Sequence, residues 1–412
     1  MQFDFTTIWD RAGKDAIAVD GFGRPGFGPT DEAKKRNEEA KKEGGGFDLL
    51  PMWVADMNFA TCPAIPEEII RRAEHPLFGY YGVPELYYER IISWQKERNG
   101  VTGLEKKHIA YENGVLGGVV SALNVLLSKG DKVLLHSPTY VGFTGCIENN
   151  GYKIIHSPLY RDEEGIWRMD YADMEEKIVK EHIHACVFCS PHNPCGRVWE
   201  EEEIRRAMEI FERHEVYVVA DEIWSDIILN GHKHVPTQSV SEYARTHVIA
   251  EYAPTKTFNL AGLQGSYHIC YNEWLSDRIA KEASLSHYNS MNVFSMHALI
   301  GAYSDTGKAW VDELKQVISQ NVNYACDFIS DRFPGVSCAK AEGTYMLYLD
   351  CIGWCEKKGI TIDTLLQQGW DVYVAWQDGR GFHGPNTIRL NLALPFERVK
   401  EAFDRLSKYV FV

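Results

Sequence analysis

Between about residues 105 and 275, short apolar runs rich in β-formers alternate with longer stretches of helical period. The runs are Lys132–Ser137, Tyr152–Ser157, Ala185–Ser190, Tyr217–Ala220, His247–Tyr252 and Tyr267–Tyr271. Helical stretches such as Val115–Leu127 and Glu200–His214 lie between some of them. Such alternation predicts an α/β fold with a mostly parallel central sheet covered by helices on both faces. After about residue 290 a helical region, Met296–Phe333, leads into strand-like runs at Thr344–Leu349, Asp371–Ala375 and Thr387–Leu392, which predicts a smaller α+β domain. The first fifty residues are polar and glycine-bearing. Within them Asp31–Lys42 has helical composition, and Gly44-Gly45-Gly46 forms a flexible joint. The chain therefore divides into an N-terminal arm (1–50) associated with the small domain, a large ligand-binding domain (51–290) and a small C-terminal domain (291–412).

The polar residues that follow these strands change the picture from fold to chemistry. In an open parallel sheet ligands bind beyond the carboxyl ends of the strands, where the loops converge. Tyr140 follows Lys132–Ser137, Asn193 follows Ala185–Ser190, Asp221 follows Tyr217–Ala220, and Lys256 follows His247–Tyr252. Asn113-Gly114 precedes the apolar helix Val115–Leu127, so the amides of Gly114, Val115 and Leu116 sit near a free helix N-terminus, an anion cradle.

Composition narrows the partners. The 412 residues are 45% hydrophobic and 25% charged, with a formal net charge of −15. That excess of acid argues against nucleic-acid binding, which needs a basic footprint. It leaves room for an anionic small ligand in a local pocket. The start, Met1 to Asp10, lacks the basic and apolar regions of a signal peptide, and no apolar run approaches a membrane span. The expected location is cytoplasmic, with the ten cysteines as reduced thiols. Cys186 and Cys189 form a C-x-x-C inside an apolar strand with no second pair at ligand spacing, so they read as buried structural thiols. His182-Ile183-His184 and His232-Lys233-His234 read as loop or surface histidines, and no metal is expected.

An anion cradle, a stacking aromatic, a buried carboxylate and a lysine together suit pyridoxal 5′-phosphate (PLP). The helix end takes the phosphate, and the aromatic covers the ring. The carboxylate keeps the pyridine nitrogen protonated, and the lysine forms the Schiff base.

The motifs agree. Asp221-Glu222-Ile223, Thr255-Lys256-Thr257-Phe258-Asn259-Leu260-Ala261-Gly262-Leu263, Ser190-Pro191-His192-Asn193-Pro194-Cys195-Gly196-Arg197-Val198-Trp199 and Ile388-Arg389-Leu390-Asn391 resemble fold-type I PLP enzymes of the class I/II aminotransferase family. Pro51-Met52-Trp53-Val54-Ala55-Asp56-Met57, His75-Pro76-Leu77-Phe78-Gly79-Tyr80 and Glu342-Gly343-Thr344-Tyr345 resemble the MalY/PatB-type C–S lyases, such as cystathionine β-lyase and cysteine desulfhydrase. The resemblance implies a PLP-dependent transferase-like fold. It implies that Lys256 anchors the cofactor and shuttles the Cα proton, that Asp221 pairs with the ring nitrogen, and that Asn193 bonds the ring oxygen. Tyr140 stacks on the ring, while Gly114, Val115, Leu116 and Thr255 face the phosphate. Arg389 clamps the substrate α-carboxylate, with Asn193 and Tyr140 beside it. Tyr80 matches a tyrosine that reaches the partner's phosphate, which implies a homodimer.

Three positions depart from the pattern. Trp224 stands where relatives have Tyr or His; its indole donates but does not accept, and it is expected to line the cofactor. Gln264 replaces a phosphate-binding Arg, which tilts the resemblance towards the lyases. Asn58 stands where the subgroup usually has Asp. Three functions stay open: β-elimination of a thiol from a small amino acid, transamination of a small amino acid, and a non-catalytic regulatory role on the same fold.

Overall fold

The computed structural model describes residues 1–286 and 289–412. Its central sheet has eight strands: β1 Ile109–Glu112, β2 Lys132–Ser137, β3 Lys153–Arg161, β4 Trp167–Met169, β5 Ala185–Cys189, β6 Tyr217–Asp221, β7 Val248–Tyr252 and β8 Ser266–Ile269. Their spatial order is β1-β8-β7-β6-β5-β2-β3-β4. The middle of the sheet, β3-β2-β5-β6-β7, is parallel throughout. At one edge β8 runs antiparallel to both β7 and β1, and at the other β4 runs antiparallel to β3. The α/β fold with a mostly parallel sheet is as the pattern predicts.

The central strands β5 and β7 are buried at every position, because helices cover both faces and leave no polar side to alternate with. The helix Glu201–Arg213 shows how a cover forms. Ile204, Ala207, Met208 and Phe211 recur at helical spacing and are buried, while a capping box of Glu200 and Glu203 closes its first turn. Cys186 and Cys189, three apart on a strand, point to opposite faces and cannot share a ligand; burial pushes both thiols above their ordinary range.

A second, antiparallel sheet has the order β9-β10-β12-β11, from β9 Ser337–Cys338, β10 Met346–Asp350, β11 Gln377–Asp378 and β12 Thr387–Asn391. The 28-residue helix Asp305–Arg332 precedes it. Two sequence readings change here. The run Asp371–Ala375 is a strand only at Val374–Ala375, since the helix Ile362–Asp371 continues to Asp371 and Tyr373 turns the chain at φ 61°. Thr344, at φ 66°, lies before β10 rather than in it. Among the described residues no helix is long and apolar enough to cross a membrane.

One segment, Trp53–Asn58, is held by all parts of the chain. The carbonyls of Val54 and Asp56 accept from Asn391 Nδ2 at 2.6 and 2.5 Å. Asn259 bonds both N–H and C=O of Met57. Arg11 of the N-terminal arm pairs with Asp56 at 2.5 Å and donates to Asn58 Oδ1 at 3.0 Å. Asn58 thus serves as an anchor for the arm.

Candidate active site

The carboxyl ends of β2, β5, β6 and β7 open onto one cleft of about 230 Å³. Gly114, Val115, Leu116, Tyr140, Asn193, Asp221, Trp224, Thr255 and Lys256 all line it. Cys189, Ile223 and Gln264 also line it, which the strand-end reading did not single out.

Lys256 is delivered by a turn fastened by the two residues that follow it. Thr257 Oγ1 donates to the buried Asp226 at 3.0 Å, and Phe258 is fully buried. The Lys256 amine donates to the carbonyl of Ala55 at 2.9 Å. Burial and the nearby Arg389 lower its pKa to about 8, against the pull of Asp56 and Asp221. In the cofactor-free chain, acylation of Lys256 by an amine-selective reagent, followed by peptide mass spectrometry, is therefore expected to rise with pH with a midpoint near 8.

Asp221 is the last residue of β6 and 5% exposed. Its carboxylate accepts from the N–H of Ile223 at 3.0 Å. Burial raises its pKa to about 7, so a protonated ring nitrogen is the partner that would hold it ionised. Asn193 turns its Oδ1 to Arg389 Nη1 at 3.1 Å, which orients the amide. Arg389, on β12, is 3% exposed and also donates to the carbonyl of Trp53 at 3.1 Å and to Gln377 Oε1 at 2.5 Å. Its guanidinium lies 4.4 Å from the centroid of Phe382. Among the described residues no carboxylate pairs with it, its Nε has no partner, and burial lowers its pKa to about 10. Gln377, Phe382 and the Trp53 carbonyl left no local signal, because they meet Arg389 only through the fold.

Trp224 is 2% exposed and packs edge-on against Tyr345 at 4.6 Å. Tyr345 donates to the Ala55 carbonyl at 3.2 Å, the same oxygen that takes the lysine. Tyr140 packs at right angles on Phe143 at 5.5 Å, and burial raises its phenol pKa. A Cβ on Gly142 would stand 2.4 Å from the Tyr140 ring and 2.8 Å from Leu116. Gly142→Ala is therefore expected to push Tyr140 out of place, weakening PLP binding roughly 10-fold or more by the 1–3 kcal/mol typical of overpacking. Spectrophotometric titration of the cofactor-free variant with PLP checks this.

At the other end of the cleft Gly114, at φ 83°, starts the helix Val115–Leu126, whose first amides are unpaired helix donors. Gln264, at φ 58°, stands opposite, its Oε1 3.3 Å from where a Cβ on Gly114 would sit. Among the described residues no cation other than Lys256 lines the cleft. Tyr80 is not brought there within one chain: it is fully exposed, close in sequence to the exposed Leu77 and Phe78. His234 lies in a loop as read but is buried, bonded to Glu222 at 2.8 Å, so it is not a surface histidine.

The residues present fit PLP: a helix end for its phosphate, a buried carboxylate with no ion-pair partner among the described residues, and a lysine of lowered pKa. The architecture and this cleft define a PLP-dependent enzyme of fold type I. The chain belongs to the class I and II aminotransferase family, whose model matches residues 49–406. It is 35% identical to the cystathionine beta-lyase PatB of Bacillus subtilis, over 88% of this chain and 93% of that protein. Among solved structures it resembles a PLP-bound putative aminotransferase from Clostridium difficile, with TM-score 0.86, 32% identity and coverage of 98% and 99% of the two chains. A PLP-bound C–S lyase from Staphylococcus hominis matches with TM-score 0.85, 28% identity and 98% of each chain.

Proposed function

We propose that this chain is a PLP-dependent C–S β-lyase that converts an amino acid of the cystathionine or cysteine type to a thiol, pyruvate and ammonia, with net uptake of one water. Bound PLP supplies an electron sink conjugated to the substrate Cα, which no side chain offers. Lys256 would hold it, with Asp221 at the ring nitrogen, Asn193 at the ring oxygen, Tyr140 over the ring and Trp224 beside it. Gly114, Val115, Leu116 and Thr255 would face the phosphate. The division into an arm (1–50), a cofactor-binding domain (51–290) and a small domain (291–412) is part of this reading.

The observation that carries the amino-acid part is Arg389, a buried guanidinium that among the described residues pairs only with neutral oxygens. A substrate α-carboxylate supplies the missing anion, and the planar fork fixes its orientation. With a pKa near 8, the Lys256 amine has enough neutral form to take the Cα proton and return it elsewhere. Loss of a thiol from Cβ is favoured over transamination by the 35% identity to a cystathionine beta-lyase and by Gln264 at the phosphate end. The putative aminotransferase at 32% identity keeps transamination as the second reading. Mass spectrometry of products from L-cystathionine and L-cysteine decides between them. Pyruvate with free thiol supports the lyase; a keto acid that keeps the sulfur, with aminated cofactor and no pyruvate, overturns it.

Tyr80 enters this reading as a residue given to the partner subunit of a homodimer. Each mixed dimer of Lys256→Ala and Tyr80→Ala chains is expected to regain one of its two sites, so a randomly reassorted equal mixture should regain about a quarter of all sites. Activity assays of refolded mixtures against each variant alone check this.

A further inference from the structure

Beyond the cleft, β6, β7, β8 and β1 carry a row of ionisable side chains on the face beneath the helix Val115–Leu126. Asp221 is the register partner of Glu251, and Glu251 of His268. Glu112 lies two residues from Ala110, the other register partner of His268, and so shares that face. Asp221 belongs to the cleft, whereas Glu112, Glu251 and His268 do not line it. The three are 1%, 0% and 1% exposed.

Their partners do not balance. Glu112 accepts from His268 Nδ1 at 2.8 Å, from Asn289 Nδ2 at 2.6 Å and from Ser121 Oγ at 3.4 Å. Among the described residues His268 Nε2 has no partner, and neither oxygen of Glu251 has one. One ligand-capable atom from each of the three residues lies within 4.8 Å of the others. The helix above is thinned to make room: a Cβ on Gly118 would stand 2.3 Å from the Glu251 carboxylate. Two carboxylates this deep need a positive charge or protons close by.

We propose that Glu112, Glu251 and His268 form a buried site for one divalent transition-metal cation of the Mn²⁺ or Zn²⁺ class. Two carboxylates with an imidazole are the donor set such ions take. The cation would take the place of the proton now shared between His268 Nδ1 and Glu112, 2.8 Å apart, with Glu251 as the third ligand. The cation offsets the two carboxylates beside Asp221 and leaves that residue as the anion of the cleft. Protons compete for the same place. Among the described residues the titratable groups facing Glu251 are Glu112, Asp221, His268 and the Cys270 thiol, and the helix Val115–Leu126 adds none. Burial, then Glu112 and Asp221, push the Glu251 carboxyl well up.

The test uses tag-free holoenzyme equilibrated with Mn²⁺ or Zn²⁺, dialysed, and measured by inductively coupled plasma mass spectrometry. The variants are Glu251→Gln and His268→Gln. His383→Ala subtracts any metal held by the His156–His383 pair, whose rings lie 4.3 Å apart. About one ion per chain is expected in the parent and in His383→Ala, with affinity at least roughly 10-fold weaker in the other two and the visible cofactor absorbance kept in all. A parent well below one ion per chain, or equal content in parent, Glu251→Gln and His268→Gln, overturns the proposal. Should those two variants not fold, anomalous diffraction from Mn²⁺- or Zn²⁺-soaked parent crystals decides: a peak among the three residues supports the site, and none overturns it.

Discussion

Lys256→Ala is expected to leave a folded chain whose pyruvate formation falls by roughly 10⁴-fold or more, the combined loss of a covalent anchor and a general base. The fold should survive because the amine makes one hydrogen bond, to the Ala55 carbonyl, while the turn is fastened by Thr257 and Phe258. Far-UV circular dichroism and a steady-state pyruvate assay measure the two sides. A primary amine added to the solution should restore part of the rate, since it replaces the base without replacing the tether. A variant within 10-fold of the parent, a bound chosen from the span of roughly 10²–10⁴ for general-base catalysis, would remove Lys256 from the chemistry.

Asp221→Asn carries the second large effect. In the cofactor-free chain burial raises this carboxyl to about 7, so the pocket resists an isolated negative charge. A protonated ring nitrogen reverses that, at about 1.4 kcal/mol for each unit by which it brings the pKa down. The asparagine leaves the ring nitrogen unprotonated, and kcat is expected to fall roughly 10³-fold, as a return of two to three units implies. Asp221→Glu, which keeps the charge, should lose less. The same group gives the cofactor-free chain a pH signature. A carboxyl raised from 3.8 to about 7 binds more protons folded than unfolded, so its contribution to stability falls as pH rises from about 4 to about 7. Thermal melts of the cofactor-free parent should show that slope, and Asp221→Asn should flatten it.

Much of the cleft was legible because polar residues at the ends of apolar strands are conspicuous in sequence. Tyr140, Asn193, Asp221 and Lys256 each follow such a run, and the fold brings all four together. What stayed hidden depends on partners far along the chain. Nothing near Arg389 announces Gln377, Phe382 or the Trp53 carbonyl, and β1 was unread because four residues ending in Glu112 make a weak pattern. Glu251 and His268 sit inside strands that read as ordinary apolar runs, so burial of their charges was visible only once neighbouring strands were paired. The run at Asp371–Ala375 misled because Asp371 closes the helix Ile362–Asp371 and Val372 caps it, which leaves only Val374 and Ala375 to form a strand.

The segment Trp53–Asn58 meets Lys256, Tyr345, Arg389 and Asn391 through its main-chain carbonyls. A backbone oxygen is the same in every residue type. Over evolutionary time the side chains of Val54 and Ala55 are thus free to drift and to reshape the cleft mouth, while the length and path of the segment are fixed. New substrate preferences within this lineage would be expected to arise by replacement in this stretch, seldom by insertion or deletion.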